Sequence, residues 1–216
     1  MRVIAVPVKS LSRAKSRMSP VLSPLERAAL SLALLEDVLD AALGIPGWDV
    51  WVVSPDEAVL EIAVRRGATP LLERKPPLGS AVRQAEEEAT LRGAGALAVL
   101  PADLPLLRAA ELAAALQTLG PVVASPASTD GGTNFLLRRP PTAIPARFGP
   151  DSFRKHEHSA RSRGLPLSVV DSPGLAFDLD LPEQAARVLA EARGRRAGRS
   201  LAELRFQERL RATAGP

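Results

Sequence analysis

An α/β fold, a mostly parallel sheet flanked by helices, is what this sequence predicts, on three observations. Short apolar runs alternate with longer stretches whose apolar residues recur at helical spacing. Ser/Pro start signals and glycine stops separate the two kinds of stretch. One run, Ala96 to Leu100, is apolar at every position, as suits a strand buried on both faces of a parallel sheet. Strands and helices alternating at this spacing make right-handed βαβ units.

The elements follow in order. Val3 to Val8 reads as the first strand, stopped by Pro7 and the polar run behind it. Ser23-Pro24-Leu25-Glu26 is a capping box with proline at the first helical position. The helix it opens carries Leu30, Leu34, Leu35, Val38, Leu39 and Ala42 and ends at Gly44. Asp49 to Val53 is the second strand, and Ser54-Pro55-Asp56-Glu57 reads as a second capping box for a helix that stops at Gly67. Thr69 to Leu72 is a third strand, Lys75 to Gly79 a stiff loop, and Ser80 to Leu91 a helix. After Ala96–Leu100 come a helix over Arg108–Leu119, a strand over Val122–Ser125 and an apolar run, Phe135–Leu137. Arg147 to Phe153 is a loop running into a helix start. Leu167–Asp171 is a strand, Ser172-Pro173-Gly174 a turn, and Pro182–Arg193 a helix. Gly194 to Arg199 reads as a basic linker to a last helix over Ser200–Leu210, so residues 1–193 form the domain and 194–216 an appendage.

Composition narrows the function. A chain of 216 residues can bury a sizeable core unaided. It has no Cys, which excludes disulfides, thiolate metal sites and cysteine nucleophiles. The first residues are too soon broken for a signal h-region and no stretch approaches a membrane span, so a soluble cytoplasmic protein is expected. The net charge of +4 fits either a solvated basic surface or a cleft for anionic ligands. Aromatics at 3% leave little to stack on bases, so nucleic acid is disfavoured. Neither a G-x-G-x-x-G nor a G-x-x-x-x-G-K-[ST] loop is present. The oligomeric state is not legible, and a homodimer is left open.

Four stretches can carry chemistry. Lys9 to Arg17 places four cations and three hydroxyls directly after the first strand, where they could surround a polyphosphate or form a solvated loop. Asp103 follows the buried strand at the sheet edge where open α/β folds bind ligands, as metal ligand, base or helix cap. Ser128 to Asn134, with Gly131 and Gly132, is either an anion nest or a tight hairpin turn. Asp178 and Asp180 point to one face of an extended chain and repel unless a cation or water separates them. Asp180 alone could cap the helix near Pro182, but a hard cation such as Mg²⁺ explains both acids. His156 and His158, two apart, face different ways on a helix and read as surface residues.

Taken together, Val6-Pro7-Val8-Lys9 with Ala14-Lys15-Ser16-Arg17, Leu100 to Leu106, Asp130 to Asn134, Phe148 to Phe153 and Asp178-Leu179-Asp180 resemble the 2-phospho-L-lactate/phosphoenolpyruvate guanylyltransferases of coenzyme F-420 biosynthesis. The resemblance runs in order from the first strand to about Pro182. It implies a single-domain nucleotidyltransferase of the nucleotide-diphospho-sugar transferase type. It also implies Mg²⁺ on Asp103, Asp178 and Asp180, an acceptor carboxylate at Thr133, Gly149 and Ser152, and GTP triphosphate at Lys9 and Lys15. Lys9, Arg13 and Lys15 would then stabilise the leaving pyrophosphate. One departure stands out: where such enzymes carry Gly-Leu-Asn, this chain reads Pro77-Leu78-Gly79-Ser80, which leaves base recognition unassigned. Two rivals are a nucleotidyltransferase acting on a sugar phosphate or molybdopterin, and a silent nucleotide-binding module.

Overall fold

The computed structural model describes residues 1–74 and 79–213. Seven strands form one sheet: β1 (Arg2–Pro7), β2 (Asp49–Ser54), β3 (Thr69–Leu72), β4 (Ala96–Val99), β5 (Val122–Pro126), β6 (Thr133–Arg138) and β7 (Leu167–Val169). Their order is β3-β2-β1-β4-β6-β5-β7. All neighbours are parallel except β6, which lies antiparallel between β4 and β5. Every residue of β4 is buried, as its continuous apolarity requires.

Helices cover both faces. The helices α1 (Pro24–Leu43), α2 (Glu57–Arg66) and α4 (Ala109–Gln117) bury Leu35, Val38, Val59 and Leu112 against Ile4, Val6, Val52 and Ala98. On the other face α3 (Gly79–Leu91) sets Ala85 and Ala89 on Val3, Trp51 and Leu97. The helix α5 (Ser152–Arg161) sets Ala160 on Val122, Ala124 and Leu136. Ser23 caps α1 in the reciprocal box read from the sequence, accepting from the Glu26 amide while the Glu26 carboxylate accepts from the Ser23 amide. Among the described residues no helix is long and apolar enough to cross a membrane.

Three local readings change. Ser54 ends β2, its hydroxyl accepting from the Asp56 amide, so Asp56 is the N-cap of α2. The Asp56 carboxylate accepts instead from Ser10 and the Leu11 amide, tying down the basic loop. Ser172-Pro173-Gly174 opens a short helix, α6 (Pro173–Ala176), capped by the Ser172 hydroxyl. Beyond α7 (Ala185–Glu191), the run from Arg196 is helix: α8 (Arg196–Glu203), followed by α9 (Phe206–Thr213).

The start of α8 is held by Asp37 of α1, whose carboxylate accepts from the Arg196 amide at 3.0 Å and the Ala197 amide at 2.9 Å. A negative charge at a helix N-terminus stabilises it by satisfying orphan donors. Gly198 permits the close turn, because a Cβ there would lie 2.1 Å from the Ala192 carbonyl oxygen. Ala197, Leu201 and Phe206 then share a cluster with Met18, Leu30, Leu34 and Leu106.

Candidate active site

The carboxyl ends of β1 and β4 open on a cleft of about 400 Å³, in the range of small-molecule sites. Lys9, Arg13, Lys15 and Arg17 line it from the segment after β1, Asp103 from the loop after β4, and Asp180 from the segment after α6. Lys9 and Arg13 are exposed at its rim. Lys15 sits between two 3₁₀ turns in the left-handed region, at φ +46°, which costs a non-glycine residue about 1 kcal/mol. Its Nζ donates to Asp103 Oδ2 at 2.7 Å and to Asp180 Oδ1 at 3.0 Å. Asp103 and Asp180 are thereby drawn together around one ammonium.

The electrostatics follow from this geometry. Burial disfavours the Lys15 charge, but the two carboxylates outweigh it and hold the ammonium above its usual range. Burial likewise works against the charge on Asp180, yet Lys15, Arg17 and Lys9 keep that carboxyl below the usual range. Asp178 goes the other way. Burial pushes it up, the charges of Asp103 and Asp180 add to the push, and the Asn134 amide, 3.1 Å away, only partly offsets them. Asp180 does not cap the following helix turn; Gln184 Oε1 does, accepting from the Asp180 and Leu181 amides.

Three neighbouring carboxylates are the oxygen donor set a hard cation prefers. As they stand they are not gathered around a metal position: among the described residues no three His, Cys, Asp or Glu side chains are so grouped. The Lys15 ammonium takes the cationic place between Asp103 and Asp180. The oxygen donor type suits a hard cation such as Mg²⁺, while the place between Asp103 and Asp180 is held by Lys15.

The second half of the site is built by β6 and the start of α5. Gly149 turns the chain at φ +116°, a conformation side chains rarely adopt, and its carbonyl accepts from the Ser152 amide at 3.1 Å. Ser152 Oγ donates to Thr133 Oγ1 at 3.0 Å, and both hydroxyls are buried. Thr133, Gly149 and Ser152 are thus brought together as expected, and Phe148, next to Gly149, lines the cationic cleft. Gly131 and Gly132 do not form an anion nest. The Gly132 amide is taken by Asp130 Oδ1 at 2.7 Å and the Gly131 carbonyl by the Phe153 amide, so the segment is the hairpin turn between β5 and β6.

His156 is not on the surface. It is fully buried on α5, with Nδ1 3.0 Å from Thr133 Oγ1 and Nε2 accepting from the Arg147 amide at 2.9 Å. His158 is exposed, as expected. Burial first, then Arg138, Arg147 and Lys155, lower the His156 pKa to about 4. The unfolded chain takes up this proton from about pH 6.5 downward while the folded chain refuses it until about pH 4. Stability is therefore full above pH 6.5 and falls between those values, by up to about 3 kcal/mol. Thermal melts across pH 4–7 should show a shallower acid decline for His156→Gln than for the parent chain.

Sequence reading missed the roles of Asn134, Arg17 and His156. Asn134 donates to Asp178 Oδ1 and to the Ala176 carbonyl, and Arg17 lies 3.8 Å from Asp180. Both stood within stretches already singled out. The Pro77-Leu78 part of the departure in the nucleotide loop lies outside the described residues.

Comparison with known proteins agrees with this architecture. The chain superposes on a protein of Desulfovibrio desulfuricans described as a nucleotide-diphospho-sugar transferase, with a TM-score of 0.81, 18% identity and 99% of each chain covered. That likeness shows the fold. A phosphoenolpyruvate guanylyltransferase of Rubrobacter xylanophilus is 47% identical over 88% of this chain and 95% of its own. A 3-phospho-D-glycerate guanylyltransferase of Phenylobacterium zucineum is 40% identical over 91% of this chain and 93% of its own. The family model described as guanylyl transferase CofC like matches residues 1–215, a span that takes in the cationic cleft, the hydroxyl cluster and the C-terminal helices alike. The chain belongs to the CofC-like guanylyl transferase family.

Proposed function

We propose that this protein joins the GMP moiety of GTP to phosphoenolpyruvate and releases pyrophosphate, a step in making coenzyme F-420. The observation that carries this reading is Lys15, whose ammonium is clamped by two carboxylates at the base of a cationic cleft that Phe148, next to Gly149, also lines. Lys9, Arg13 and Arg17 at the rim are suited to a triphosphate. An acceptor phosphate oxygen attacks the α-phosphorus, the bond from that phosphorus to the bridging oxygen breaks, and pyrophosphate departs with the electron pair. A phosphate monoester is already anionic, so no strong base is required. The side chains position the reactants and offset charge on the departing group.

When nucleotide enters, Lys15 exchanges its carboxylate partners for phosphate oxygens. Asp103, Asp178 and Asp180 would then hold Mg²⁺, which supplies charge neutralisation at the phosphates. Thr133, Ser152 and the backbone around Gly149 receive the acceptor's carboxylate. The relative of highest identity given above is named for phosphoenolpyruvate, which favours that acid. The 3-phospho-D-glycerate enzyme, at 40% identity against 47%, makes 3-phosphoglycerate the second acceptor to try.

The test is pyrophosphate release from GTP and Mg²⁺ with phosphoenolpyruvate, 2-phospholactate or 3-phosphoglycerate supplied in turn. Release with phosphoenolpyruvate at the highest kcat/KM is the expected result. Release with none of them, but with a sugar phosphate, would reassign the acceptor.

A further inference from the structure

His156 has no part in the reaction as written, yet it sits fully buried against the acceptor hydroxyls. Its hydrogen bonds fix which nitrogen carries the proton. Nε2 accepts from the Arg147 backbone amide at 2.9 Å, so a neutral imidazole there must hold its proton on Nδ1. That N–H donates to Thr133 Oγ1 at 3.0 Å, and Ser152 Oγ donates to the same oxygen, also at 3.0 Å. Both lone pairs of Thr133 Oγ1 are then filled, and its own proton is the cluster's uncommitted donor. The ring also packs edge-on against Phe148, with centroids 5.5 Å apart at 67°. Phe148 belongs to the wall of the cationic cleft.

We propose that His156 is a positioning residue for the acceptor: it commits the Thr133 hydroxyl as a donor to the acid's carboxylate and pins the Arg147–Gly149 loop beside it. One imidazole thereby ties the start of β6 to the loop before α5, the two pieces that must hold the acid at a fixed distance from the nucleotide. Its low proton affinity, set by burial and by Arg138, Arg147 and Lys155, keeps the tautomer constant at neutral pH. The proposal rests on the guanylyl-transfer reading above.

The experiment compares the full-length parent with His156→Phe, His156→Asn and His156→Gln. Phenylalanine keeps the packing against Phe148 and offers no hydrogen bond. Asparagine can place an amide N–H where Nδ1–H lies. For His156→Phe, the KM for the phosphoacid should rise about 10- to 100-fold, the cost of leaving a buried polar group unpaired. The KM for GTP should stay within about twofold, because the packing against Phe148 is kept and none of the cleft's charged side chains is altered, and His156→Asn should recover most of the loss.

A uniform rise in both KM values, or asparagine behaving no better than phenylalanine, would mean a merely structural histidine and overturn the proposal. If the Phe variant does not fold, the Asn and Gln variants carry the same comparison. Nitrogen NMR of the parent adds a readout free of mutation: a protonated Nδ1 and bare Nε2 are expected from pH 8 to 5.5, and the opposite tautomer would refute the assignment. A parent that transfers GMP to no acid overturns the functional reading and this role with it. An active parent with an unchanged His156→Phe overturns this role alone.

Discussion

Asp103→Asn should lower the turnover of guanylyl transfer by about 10²- to 10³-fold, the scale of removing one charge-stabilising group from a reacting centre. Asparagine keeps the shape and can still accept a hydrogen bond from Lys15, but it no longer carries the charge that offsets the buried ammonium. The backbone should hold, since the Asp103 carbonyl accepts from the Leu179 amide at 3.0 Å and that bond survives the substitution. This bond keeps the acid-bearing segment 178–180 against the loop after β4. The melting temperature should fall only moderately, because Asp180 still pairs with the buried ammonium, while kcat collapses, and steady-state kinetics with a thermal melt separate the two. Asp178→Asn should behave similarly if Asp178 joins the cation when nucleotide is bound. Turnover within tenfold of the parent in either variant would remove that residue from the reaction.

The sheet was largely legible because strand burial writes itself into consecutive residues. The run Ala96–Leu100 could be little else, and the acids at Asp103, Asp178 and Asp180 stood out as charges behind such runs. What the sequence did not give was partner or direction. An apolar run such as Phe135–Leu137 is equally consistent with parallel and antiparallel pairing, so the reversal at β6 was invisible. Lys15 meets Asp103 and Asp180 across 88 and 165 positions, and nothing in a local stretch announces such a pairing. His156 reads as surface because His158, two positions on, faces another way and the two cannot act as a pair; its burial depends on Thr133 and the Arg147 amide, which come from elsewhere in the chain. The C-terminal arginines read as a linker for the same reason. Their partners Asp37 and Asp40 lie on α1, some 156 to 160 positions away. Local pattern specified the elements, and long-range charge pairing specified the site.

The largest stability effect is expected at an ion pair outside the reacting centre. Arg138 of β6 is fully buried, and its Nη1 donates to a carboxylate oxygen of Glu86 on α3 and to the Ile144 carbonyl. Its Nε and Nη2 have no partner among the described residues. Burial pulls the guanidinium pKa down and Glu86 holds it up, so the carboxylate is the chief compensation for a charge that cannot reach water. Glu86→Ala should then cost about 3–5 kcal/mol, the scale of breaking a buried pair and stranding one ion. Arg138→Met should cost much less, because the Glu86 side chain is 25% exposed and can be hydrated when left alone. The double variant should resemble Arg138→Met rather than the sum, since the penalty of Glu86→Ala exists only while the guanidinium remains. Denaturant melts of the three variants measure this directly. The pair also has a place in the layout of the site. Glu86 lies one helical turn beyond Val82, which lines the cationic cleft, while Arg138 lies on the strand that begins with Thr133 and Asn134. An ion pair that cannot exchange its partner for water fixes the wall of the cationic cleft to the strand that begins with Thr133. Equal losses for Glu86→Ala and Arg138→Met would mean that water reaches the guanidinium and that this link is loose.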